Sequence, residues 1–213
     1  MMSKWRSLIL PILKLAGRVR GNRNKHCLGY TNGKHGGHVE RPFVMLRWNH
    51  YETAFEAYLK ERKIPFLAMA ERHRNPLDDG STLKNLDFVI SRSVGTSWLI
   101  DVKGRKFPGG KHGGYWKHWT TRDDLVGLRH WEKMFGERFS GLFVFAYLIC
   151  GNKSPLPEHQ LFGHRERLYG FVGISVADYL TEIRLLSPKW RTFAMPTERF
   201  RRLAKPFEDF IVR

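Results

Sequence analysis

Apolar and polar positions change period several times along this chain, and each change marks an element. From Asn49, a good helix cap, HYETAFEAYLKER sets Tyr51, Ala54, Phe55, Tyr58 and Leu59 three and four residues apart, which predicts a helix with one apolar stripe. Ile64 to Glu71 (IPFLAMAE) then predicts a strand. His73 to Thr82 holds Asn75-Pro76 and Asp78-Asp79-Gly80 and reads as a turn-rich loop, with Asp78 and Asp79 as solvated turn formers. Between Lys84 and Lys106 two short runs rich in Val, Ile, Phe and Trp flank Val94-Gly95-Thr96, which predicts a hairpin of two strands. Thr121 to Asp124 resembles a capping box, followed by Leu125, Leu128, Trp131 and Phe135 at helical spacing and Gly136 as a stop. Leu142 to Cys150 (LFVFAYLIC) is apolar throughout, the pattern of a strand buried on both faces. Beyond a loop at Ser154 to Pro157, Leu168 to Ile174 predicts another strand, Val176 to Leu186 a helix, and Pro196 to Leu203 a short basic helix. The order reads α, β, β, β, α, β, with an extra strand and a C-terminal extension.

Composition narrows the class. At 213 residues and 42% hydrophobic content the chain can bury one sizeable core, so the expectation is one domain over 48–213, extended from about 176, with a tail over 1–47. Thirty-seven Lys and Arg against 20 Asp and Glu leave +17, which favours a polyanionic partner over an acidic small molecule. Residues 1–47 carry ten of those bases and a single acid, Glu40. Rich in Gly, Asn, Lys and His without an apolar period, the segment from Gly21 to Gly37 predicts a disordered basic arm. Cys27 and Cys150 lie far apart without metal-ligand spacing, which fits a reducing cytoplasm better than a disulfide scaffold. No run approaches the ~20 apolar residues of a membrane span.

Candidate chemistry lies on the central hairpin. Asp87 stands inside its first apolar run and Asp101-Val102-Lys103 ends the second, so each strand bears an acid. A strand against a core pays heavily for an unpaired charge, whereas carboxylates that share a divalent cation are neutralised by it. Lys103 lies two residues from Asp101 and so shares its strand face. Asp87 and Asp101 could hold Mg²⁺ through oxygen while Lys103 orients water and offsets charge on a phosphate. An acid-x-Lys triplet also arises by chance in so basic a chain, as at Glu61-Arg62-Lys63, and an ordinary strand-end ion pair is the bland alternative. Glu52 falls on the rim of the first helix's stripe, from where an acid can reach a cleft beside the core; Glu56 lies farther toward solvent, in reach of Lys60. After the hairpin, Gly104 to Thr120 reads as a basic loop in which Arg105, Lys106, Lys111 and Lys117 alternate with Phe107, Tyr115, Trp116 and Trp119. Basic residues among aromatics suit phosphates and stacked bases; aromatics folded onto the core are the other reading.

An acid in the first helix, an acid on the second strand and acid-x-Lys ending the third resemble the PD-(D/E)xK nuclease superfamily, over about His50 to Ile174. RKIPF after the helix and DVKGRK on the strand are most similar to the archaeal Holliday-junction resolvases, and HYETAFE matches the signature after which the HYExAFE family is named. Two positions depart from the superfamily pattern: Asn85-Leu86 precede Asp87 where a proline often stands, and the second acid is Asp, one methylene shorter than Glu. The resemblance implies an α/β fold with a restriction-endonuclease-like αβββαβ core, its mixed central sheet flanked by helices, plus the basic arm and a C-terminal helical extension. It implies a Mg²⁺- or Mn²⁺-dependent endonuclease in which Glu52, Asp87, Asp101 and the backbone carbonyl of Val102 hold metal and Lys103 assists attack on a phosphodiester, Glu56 being the fallback for Glu52. Arg105, Lys106, Lys111 and Lys117 would then hold nucleic acid, DNA ahead of RNA, with no membrane partner and with a homodimer compatible. The alternative is a nucleic-acid-binding protein that keeps the fold without turnover.

Overall fold

A computed structural model describes residues 49–69, 75–76, 82–109 and 116–211. The expected arm, Asp78 and Asp79, and Lys111 lie outside the described residues.

Helix α1 (His50–Glu61) starts where its local chemistry says it should: the Asn49 side chain accepts the Tyr51 N–H at 3.1 Å. Its stripe is buried through Ala54, Phe55, Tyr58 and Leu59. Strands β1 (Leu67–Ala68), β4 (Phe88–Ile90), β5 (Ser97–Phe107), β7 (Phe139–Ile149), β9 (Arg167–Ser175) and β12 (Lys205–Pro206) follow one another across the main sheet, and β8 (Phe162–His164) joins β9. β4 and β5 form the expected antiparallel hairpin, whose turn uses Gly95 at φ +81°. β5 pairs with β7 in parallel, and between them runs α2 (Arg122–Phe135), so the connection is a β-α-β crossover. β7 and β9 are antiparallel, which makes the sheet mixed.

The sheet is covered on both faces. Ile100, Val102, Leu142 and Val144 cluster with α1, while Leu99, Phe107, Phe143 and Phe145 cluster with Leu125, Leu128 and Trp131 of α2. That alternation along β5 follows from the two-residue period of a strand. Phe55 anchors the α1 face, with its ring 5.3 Å from Phe88, 5.1 Å from Phe171 and 4.8 Å from Phe207.

Four sequence expectations are revised. The strand expected over Ile64 to Glu71 is confined, among described residues, to Leu67 and Ala68; Lys63 turns at φ +53° and Pro65 has no N–H to give a ladder. The loop expected from Gly104 begins later, because β7 supplies ladder partners as far as Phe107. Arg105 and Lys106 are therefore strand residues. The helix expected over Val176 to Leu186 is five residues long, α3 (Val176–Leu180), closed by Thr181, whose hydroxyl donates to the Asp178 carbonyl. Beyond it β10 (Arg184–Ser187) pairs with β11 (Thr192–Ala194), which pairs with β6 (Thr120–Thr121), so the extension is a small sheet before its short helix α4 (Thr197–Leu203). β2 (Asn75–Pro76), inside the loop expected over His73 to Thr82, pairs with β3 (Thr82–Leu83) at that loop's end.

Candidate active site

Asp87 lies one residue before β4, and its main chain is held on both sides: its N–H donates to the Ile100 carbonyl at 2.9 Å and its carbonyl accepts from Met69 N–H at 3.0 Å. Its carboxylate accepts the Val102 N–H at 2.6 Å, so the side chain continues the hairpin ladder where β4 ends. Asp101, 3% exposed, and Lys103, 8% exposed, are both buried on β5. Glu52, in the first turn of α1, is buried at 5% exposure and accepts a hydrogen bond from the Asn49 amide at 2.8 Å. Glu56 instead pairs with Lys60 at 2.8 Å. Of the two helix acids the structure turns Glu52 inward.

The three acids interact. Burial, and then the negative charges of Asp101 and Glu52, push the Asp87 carboxyl well above the ordinary carboxylate range, against the opposing pull of the Val102 N–H and Lys103. A like-charge cluster of this kind needs a cation or a proton.

Two cations supply part of the answer, and the sequence pointed to one of them. The Lys103 ammonium contacts Asp101 and reaches Asp124 at 3.0 Å. Lys84 contacts Asp124 and lies 3.6 Å from Asp101. The result is a ring of alternating charge, Lys84, Asp101, Lys103 and Asp124. Burial alone would lower the Lys84 ammonium, but Asp101 and Asp124 outweigh it and hold it above the usual lysine range. Burial would likewise raise Asp124, and Lys103 and Lys84 outweigh it and hold that carboxyl well below the usual range. Asp124 divides its two oxygens: Oδ2 accepts the Thr121 N–H at 2.8 Å in the capping box of α2, and Oδ1 faces both lysines. Lys84 is steadied from behind, since its carbonyl accepts the Trp131 indole N–H at 2.9 Å.

Neither residue announces this role in the sequence. The capping box was legible at Thr121 and Asp124, but Lys84 and Asp124 meet across 40 positions, and nothing local says so.

Hard carboxylate oxygens are the donors that Mg²⁺ and Mn²⁺ take. Asp101 Oδ2, in contact with the Lys103 ammonium, accepts no hydrogen bond of ordinary geometry. The donor set thus fits such an ion in chemistry. In the side-chain arrangement described, however, no three His, Cys, Asp or Glu residues converge as a metal group among the described residues.

The residues expected to hold nucleic acid are placed differently from one another. Lys106 and Lys117 are exposed. Arg105 is half-buried, donates to the Gly104 carbonyl at 2.7 Å and to the Trp119 carbonyl, and lies 4.0 Å over the Trp119 ring. Trp116 packs edge-on to Phe107 and Tyr147, so the aromatics of this region divide between core and surface.

No family model matches the chain, and no curated protein does. The HYExAFE signature therefore stands as a motif alone. Among solved structures the chain is similar to Hjc, a Holliday junction resolvase of the hyperthermophilic archaeon Archaeoglobus fulgidus, with a TM-score of 0.45 and 13% identity over 74% of this chain and 97% of that one. A likeness of this size says nothing about activity. Among the described residues no helix is long and apolar enough to cross a membrane.

Proposed function

We propose that the chain is a metal-dependent nuclease acting on the phosphodiester bonds of DNA, structured or branched DNA included. The supporting observation is that Asp87, Asp101 and Lys103 are carried together by the central hairpin, Lys103 in contact with Asp101, while burial and then the charges of Asp101 and Glu52 push the Asp87 carboxyl above the ordinary carboxylate range. In this reading Glu52, Asp87, Asp101 and the Val102 carbonyl would hold Mg²⁺ or Mn²⁺, which when bound supplies charge neutralisation and an acidified water. Lys103 offsets charge on the phosphate, and Asp124 keeps that lysine in place from the α2 side. Lys84 brings a second ammonium to the same face. Exposed Lys106 and Lys117, and the basic arm, draw in the phosphate backbone.

Asp101→Asn is expected to lose metal binding and cleavage together. Lys103→Ala keeps metal and DNA binding and loses cleavage by about 10² or more, a usual size for one positioned electrostatic group. Glu52→Gln removes activity and Glu56→Gln leaves most of it. The assay is plasmid and branched-DNA cleavage in Mg²⁺ and Mn²⁺ on variants shown by melting to be folded; undiminished cleavage in both Asp101→Asn and Lys103→Ala would remove this site.

One observation favours a second reading, a DNA-binding protein with this fold and no turnover: Asp101 is engaged by lysine, and no three donors converge among the described residues. Calorimetry decides between them. Heat of binding at millimolar Mg²⁺ or Mn²⁺ supports the nuclease, and its absence in a folded, DNA-binding protein supports the second reading.

A further inference from the structure

Residues 184–191, RLLSPKWR, carry three bases and no acid, and they form β10 and the turn into β11. β10 is an outer strand of its sheet, and Leu185, Leu186 and Trp190 are 54%, 61% and 70% exposed. Such a patch on a small hairpin asks for an occupant. The turn is well defined: Arg191 sits at φ +47° and donates its N–H to the Pro188 carbonyl at 3.3 Å, and the Lys189 ammonium lies 5.3 Å from the Trp190 ring. The hairpin is also tied to the candidate active site. The Arg191 carbonyl accepts the Arg122 N–H at 2.9 Å, and Thr192 pairs with Thr121, the residue whose capping box contains Asp124. Asp124 in turn holds Lys84 and Lys103.

We propose that this hairpin grips DNA at unpaired bases, Trp190 stacking on a base while Arg184, Lys189 and Arg191 meet the flanking phosphates. The proposal rests on the nuclease or DNA-binding reading above and adds a substrate feature to it. An indole face gains little from a base already stacked in duplex, whereas a base in a single strand, fork or junction has a free face, and base–aromatic stacking is indifferent to sequence. Charge favours this occupant over a protein strand added to the edge. Glu182, two residues before the segment, is taken up by Arg199. The β10 register also shifts between Leu185 and Ser187, which breaks the flat edge that strand addition needs.

The test is fluorescence anisotropy of the full chain in EDTA, with a labelled single strand, its matched duplex and a forked duplex, at several salt concentrations, so that cleavage plays no part. Trp190→Ala should weaken single-strand and fork binding about tenfold or more and duplex binding less than twofold, with Trp190→Phe retaining most of the affinity. Lys189→Ala with Arg191→Ala should weaken all three and flatten the salt slope by about two phosphate contacts. Equal loss on duplex and single strand, or no loss in Trp190→Ala, overturns the proposal and leaves the nuclease reading standing. So does a Trp190→Ala effect seen only as lost self-association in sedimentation, which would assign the edge to a second copy of the chain. Failure of the wild type to bind any of the three DNAs overturns both.

Discussion

Replacing Asp124 by Asn tests the charge ring directly, because the amide can still accept from the Thr121 N–H while the negative charge facing two lysines is gone. In the wild type Asp124 Oδ1 faces Lys84 and, at 3.0 Å, Lys103, on a residue that is 5% exposed. Hydrogen bonds to charged groups contribute about 1.5–3 kcal/mol each, and both lysines keep Asp101 as a second partner, so the expected loss is about 2–3 kcal/mol at neutral pH. For a chain of this size that is a fall in Tm of roughly 5–10 °C. Asp124→Ala also removes the acceptor of the Thr121 N–H, the reciprocal half of the capping box, and should lose about 1 kcal/mol more.

The pH dependence gives a sharper signature than the magnitude. A carboxyl held below its unfolded value contributes stability that is complete above that value, near 3.9 for Asp, and is lost as pH falls toward the folded one. The gap between wild type and Asp124→Asn should therefore be level from about pH 8 to 5 and close progressively below about pH 4. Denaturant melts of the metal-free proteins at several pH values measure it. Equal stabilities at pH 7, or a gap that stays unchanged down to pH 3, would show that the two lysines draw nothing from Asp124.

Asp87→Asn should act in the opposite sense: the wild-type carboxyl is raised by burial, Asp101 and Glu52, so the variant gains on the wild type as pH rises above about 4, and it loses any Mn²⁺-dependent increase in Tm. A stability gap between wild type and Asp87→Asn in EDTA that stays level from pH 4 to pH 8 would contradict this. Gly104→Ala places a methyl group into the Tyr51 ring, and overpacking of this kind costs about 1–3 kcal/mol while pushing the first turn of α1, with Glu52, off β5; melts together with near-ultraviolet circular dichroism report both effects.

Local chemistry made α1, α2 and the central hairpin legible, because caps, stripes and turn residues act within a few positions. Asn49 caps α1, and Thr121 with Asp124 closes the box of α2. Long-range pairing decided what the sequence missed. β5 continues to Phe107 because β7 runs beside it, and Arg184 to Ser187 become a strand because β11 returns antiparallel to them. At the site, Asp87, Asp101 and Lys103 were visible as charges on apolar strands, and Glu52 as an acid on the rim of a stripe. Lys84 looked like the polar start of a strand and Asp124 like a cap, since their second task depends on a meeting that only the fold creates.

The position of the site follows from where the hairpin ladder stops. Phe88 is the first residue of β4 to pair, opposite Ile100, and beyond it the Asp87 carboxylate takes the Val102 N–H in place of a strand carbonyl. Asp101 and Lys103 belong to the α2 face of β5, and Glu52 comes from α1 on the other, yet both Asp101 and Glu52 act on Asp87. The strand end is thus flanked by charges carried on both faces of the sheet. This geometry separates stability from function in one experiment. Glu52 and Asp124 are carried by helices on opposite faces, Glu52 accepting from Asn49 and Asp124 facing Lys84 and Lys103, so the metal-free stability losses of Glu52→Gln and Asp124→Asn should add to within about 0.5 kcal/mol. Cleavage rates should not add, because residues that serve one reacting centre fail as a unit, and the double variant should be little slower than Glu52→Gln alone. Rates that multiply independently in the double variant would mean that the two faces of the sheet do not converge on one centre.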